Sequence, residues 1–126
     1  MFQPKEIPSV EPVPEQYLEA AEHFREYEPL IAADLWEQFQ RNGMEVSHLK
    51  IANEFLGKDI QSGLDLGDLN LLKNELDWLR ELLNAHNISG DLLPKYLEFY
   101  KQAAESNLDQ RGQPVIDWLN RVVSTF

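Results

Sequence analysis

At 126 residues with no cysteine, the chain fits one domain, and disulfides, thiolate nucleophiles and Cys-ligated zinc or iron–sulfur sites are excluded. Eleven basic against twenty-two acidic side chains leave a net charge of −11, a field that repels a phosphate backbone. The basic residues are scattered among acids, so no nucleic acid is expected as a partner. No membrane span or basic-then-apolar leader is legible either, and a cytoplasmic location is expected.

Residues 1–14 carry Pro4, Pro8, Pro12 and Pro14. Each proline removes an amide donor and pushes its predecessor away from helix, so this segment reads as an extended arm. Residues 15–126 read as the helical domain. Helix starts near Glu15, with Tyr17, Leu18, Ala21 and Phe24 on one apolar stripe. Pro29 cannot donate to the carbonyl four residues back, which predicts a break or a kink around Tyr27-Glu28. A second stripe, Leu30, Ile31, Leu35, Trp36 and Phe39, then runs to the left-handed stop signal Asn42-Gly43. The third predicted helix covers Val46 to Ile60, with Leu49, Ala52, Phe55, Leu56 and Ile60 inward, and Gln61 to Gly67 reads as a loop.

Asp68 suits the N-cap of a fourth helix, because its carboxylate can accept the free amides of the first turn. Leu69, Leu72, Leu76, Leu79 and Leu83 follow at spacings of three and four, widened by Leu71, Trp78 and Leu82. A stripe this broad suits a helix that touches two neighbours in a bundle. After the break Asn87-Ile88-Ser89-Gly90, a fifth helix begins beyond Asp91, with Pro94 tolerated in its first turn. It presents Leu93, Tyr96, Leu97, Tyr100 and Ala104 on one side and Phe99 on another. Gly112-Gln113-Pro114 restarts a last helix, whose face is Val115, Leu119, Val122 and Phe126, flanked by Trp118. No alternating run competes as strand. The expected fold is an all-α, single-domain helical bundle of four to six helices, up-down or globin-like.

Three histidines are the candidate cofactor ligands: His23 beside Phe24, His48 at the start of the third helix, and His86 at the end of the fourth. Neutral imidazole ligates haem iron or another metal, and a helical bundle can house such a site. Histidines near helix ends also cap carbonyls, and His86 suits the negative end of a helix dipole. Glu45-Val-Ser-His48 has the Glu-x-x-His spacing of di-iron bundles, but a working site needs that motif twice, so no metal site is expected. The acids fall mostly outside the apolar stripes. No phosphate loop, nucleophile elbow or Ser-x-x-Lys pattern is present, and no enzyme activity is expected. Trp36, Trp78 and Trp118 with Tyr96, Phe99 and Tyr100 suit either plain core or a pocket for a flat ligand such as a tetrapyrrole. Phe99 and Trp118 depart from their helices' main stripes and, with Phe126 on the last helix, are the candidate interface residues.

His48-Leu49, Phe55-Leu56, the acidic-glycine loop to Gly67-Asp68, Leu76 with Trp78-Leu79, Leu82-Leu83 and Ile88 form a further pattern. Over residues 44–108 it resembles the helical N-terminal domains of bacterial stressosome-type RsbR-like sensors and of cobalamin-binding regulators. That resemblance implies a sensory or scaffolding module, often dimeric. Because no effector domain follows Phe126, it implies one that acts on a partner in trans. The expected function is a non-enzymatic regulatory or protein-interaction module, as a homodimer or with a protein partner. Its alternatives are a sensor holding haem or another flat cofactor on His23, His48 or His86, and a small metal-dependent enzyme built on Glu45 and His48.

Overall fold

Helix α1 spans Glu15–Arg41 and buries Ala20, Ala21, Phe24, Ile31, Leu35 and Phe39, spaced so that they return to one face. In this computed structural model the described residues are 13–44, 46, 49–69, 77, 80, 81, 84, 85 and 92–125. The arm over 1–12, and with it most of the Pro-rich pattern, lies outside them. Of the break or kink expected around Tyr27-Glu28, the break does not occur: α1 continues through Pro29. Pro29 stands on the exposed face, where water can satisfy the Arg25 carbonyl that loses its donor. Ile31 and Leu35 meanwhile keep the buried stripe in phase. At the C-terminus the Gly43 amide bonds the Gln40 carbonyl at 3.1 Å and the Met44 amide bonds that of Phe39 at 2.8 Å. This paired stop requires a left-handed residue, and Gly43 has φ 66°.

Helix α2 spans Leu49–Leu66 and runs antiparallel to α1. The Gln61 side-chain amide donates to the Ala21 carbonyl at 3.1 Å, and Arg25 lies 3.8 Å from Asp65. The loop expected over Gln61 to Gly67 is helix instead as far as Leu66. Ile60, Gly63 and Leu64 extend the buried stripe of Leu49, Ala52 and Leu56, and that burial outweighs the low helix propensity of the glycines. The stop comes at Gly67, with φ 79° and the same pair of bonds that ends α1.

The predicted fourth helix falls mostly outside the described residues. Of its members, Asp77, Arg80, Glu81, Asn84 and Ala85 are helical, and Asp77 and Glu81 are exposed as expected. Helix α3, Leu92–Asn107, buries Leu93, Tyr96, Leu97, Tyr100, Ala103 and Ala104. It packs antiparallel on α1, where the Asn107 side chain donates to Asp34 at 2.6 Å and Phe39 meets the rings of Tyr96 and Phe99 edge-on. A 3-10 turn over Gln110–Gly112 leads into α4, Gln113–Thr125, which seats Val115, Ile116, Trp118 and Leu119 in the core. Pro94 and Pro114 both fall in first turns, where the missing amide costs nothing. The architecture is an all-α bundle, with no strand among the described residues.

Candidate functional site

Long-range packing of α1 against its two antiparallel neighbours creates two polar constellations. The first is structural. His23 is 3% exposed, and its Nε2 accepts the backbone N–H of Asp109 at 3.0 Å. An accepting Nε2 places the ring proton on Nδ1, which is buried with no partner among the described residues. The His23 and Tyr27 rings pack at 4.6 Å. Asp109 caps the following turn by accepting from the Arg111 amide at 2.8 Å, and it pairs with the Arg111 guanidinium at 2.7 Å. Those Arg111 hydrogen bonds hold the Asp109 carboxyl at about 2, below its ordinary 3.8. The arrangement fastens the α3–α4 connection to α1.

The second constellation is a cleft of about 340 Å³ between α1 and α2, lined by Glu28, Ala32, Trp36, Leu49, Lys50, Asn53 and Glu54. Its chemistry is uneven along its length. Trp36, 46% exposed, and Leu49 supply an apolar end. Glu28 lies eight residues from Trp36, about 12 Å along the α1 axis, and supplies an anion at the other end. Glu28 reaches the α2 backbone because Gly57 has no side chain: a Cβ there would lie 2.9 Å from Glu28 Oε1. Burial pushes the Glu28 carboxyl above the usual carboxylate range. No hydrogen bond or ion pair reaches that carboxylate among the described residues. Behind it, burial and the nearby Glu28 charge raise the Tyr100 phenol. Its hydroxyl is enclosed without a hydrogen bond among the described residues. Tyr96 donates to Asn53 Oδ1 at 2.6 Å, which orients Asn53 from the α3 side.

Of the candidate site residues read from the sequence, the structure describes His23, Phe99 and Trp118. Of the three histidines, His23 is committed to Asp109, while His48 and His86 lie outside the described residues, as does Glu45. Trp118 is 3% exposed, so it is a core residue in this chain and its candidacy as an interface residue, which depended on exposure, is not met. Phe99 is half-buried against Phe39, and Phe126 lies outside the described residues. Trp36 lines the cleft, Tyr96, Tyr100 and Trp118 are core, and Trp78 is outside the described residues. No group of three or more His, Asp or Glu side chains placed to hold a metal occurs among the described residues. None of the described helices is long and apolar enough to cross a membrane.

Sequence reasoning missed Glu28 and Gly57. Glu28 was legible as an acid at the inner edge of the α1 stripe, three before Ile31, and Gly57 as a glycine amid buried positions of α2. Their juxtaposition depends on the register of two antiparallel helices, which no local pattern states. No family model, characterised protein or solved structure matches the chain.

Proposed function

We propose that this chain is a non-enzymatic regulatory or protein-interaction module that meets its partner through the face shared by α1 and α2. The observation that carries the reading is the placement of exposed apolar side chains. Among the described residues, the exposed large apolar side chains are Leu18, Leu30, Trp36, Ile51 and Leu66, 46–67% exposed, and they belong to α1 or α2. Single exposed leucines are ordinary, but a half-exposed tryptophan at the mouth of a cleft is a typical contact residue. The −11 charge favours a basic partner and rapid electrostatic encounter. The resemblance to bacterial sensor and scaffold modules supports a protein partner in the cytoplasm or self-association as a homodimer.

Trp36→Ser tests this reading. Sedimentation of the purified chain and capture from a lysate of its own cell would be compared for wild type and variant. A self-associated species or a stoichiometric partner that Trp36→Ser abolishes, at unchanged Tm, is expected. Association that persists unaltered in the variant contradicts the proposal.

A further inference from the structure

The Glu28 carboxylate poses a problem that the bundle itself does not solve. A half-buried anion without a counter-charge lowers stability, and Gly57 lowers it again by placing glycine inside α2. An alanine at position 57 would improve the helix but would make the carboxylate shift from its present position, since the Cβ would lie 2.9 Å from Oε1. The cleft therefore keeps two unfavourable choices that together present an unneutralised carboxylate beside an apolar wall. Lys50 lines the same cleft but forms no ion pair with Glu28 among the described residues.

We infer that the α1–α2 cleft receives a lysine or arginine side chain of a partner protein. The cationic head would sit on Glu28 and the apolar part of the partner's segment against Ala32, Leu49 and Trp36. This rests on the reading of α1–α2 as the contact face and adds the chemistry that selects the partner. Charge complementarity carries the choice of occupant: the chain is strongly acidic, and the Glu28 anion awaits a cation. A partly desolvated carboxylate also makes a stronger charge-assisted hydrogen bond than an exposed one. About 12 Å separates Glu28 from Trp36, two turns of a docked helix, so a basic residue and an apolar residue seven or eight apart on the partner fit both ends.

The test is a titration of the ¹⁵N-labelled full chain with a short amphipathic helical peptide of leucine and lysine, followed at the Gly57 amide. Glu28→Gln should weaken binding roughly tenfold or more, the worth of one charge-assisted hydrogen bond. Glu105→Gln removes the same unit of charge from an exposed position on α3 and should leave binding near wild type. Gly57→Ala should weaken binding while holding or raising Tm, which separates loss of the site from loss of the fold. Equal weakening by Glu28→Gln and Glu105→Gln would overturn the inference, because only net charge would then matter. Weakening by Trp36→Ser but not by Glu28→Gln would leave the contact face standing and overturn the assignment of the cation to Glu28. Saturation by n-hexylammonium at the peptide's own concentrations would reassign the cleft to a free amine and overturn the partner side chain. Absence of any shift at Gly57 with the peptide would overturn it as well.

Discussion

Single residues decide where this bundle spends stability and where it stores it. Glu28 has a folded-state pKa raised by burial, so its ionised form opposes folding above that value and the opposition fades as the pH falls through it. Glu28→Gln is therefore expected to raise Tm at neutral pH, with the gain vanishing in acid; thermal melts across the pH range check this. Asp109 behaves in the opposite sense. Its carboxyl is lowered to about 2 from 3.8, chiefly by the hydrogen bonds with Arg111. Its stabilisation is complete above the unfolded value and is lost as pH falls from about 4 to about 2. Asp109→Asn should lower stability at neutral pH and flatten the acid limb in that window, so that its difference from wild type vanishes towards pH 2. His23 shows why the residue scale resisted reading from sequence. A histidine beside Phe24 has the same local pattern whether it ligates a cofactor or accepts an amide 86 positions away. Only the tertiary partner distinguishes the two.

Elements were far more legible than sites. The α1 and α3 stripes, the proline-led start of α4 and the glycine stop of α1 follow from 3.6-residue periodicity and from backbone conformations that few residues adopt. Two local signals misled for the same reason. Pro29 and Gly63 each disfavour helix locally, but the flanking apolar residues stay in phase and bury. A fully buried leucine such as Leu35 or Leu64 contributes about 1.5–3 kcal/mol, more than a mid-helix glycine costs. Tertiary packing thus overrode propensity. Pro29 remains a defect that α1 tolerates, since its side chain is exposed and only one internal bond is lost. Pro29→Ala is expected to stabilise the chain by about 1–3 kcal/mol, read as a higher denaturant midpoint at unchanged m-value. An unchanged or lower midpoint would mean that the proline shapes α1 in a way the bundle needs.

At the scale of the molecule, the helices divide their labour. α3 and α4 turn their large apolar side chains inward, Trp118 among them, and the connection between them is fastened to α1 through His23 and Asp109. α1 and α2 complete the core, carry exposed Leu18, Leu30, Trp36, Ile51 and Leu66, and enclose a cleft lined by Trp36 at its apolar end and Glu28 at its anionic end. The −11 net charge counts against a nucleic-acid role. Composition could not tell which tryptophan stays exposed: Trp36 reads as a member of its stripe and Trp118 as flanking one, yet Trp36 is exposed and Trp118 covered, because only helix crossing decides. The central claim is that the α1–α2 face is where this chain meets its partner. Photocrosslinking in the chain's own cell tests it most directly, with a benzophenone amino acid placed either at Trp36 or at exposed Asp117 on α4. The account predicts a discrete protein adduct from position 36 and none from position 117. Adducts from position 117 with none from position 36 would contradict it.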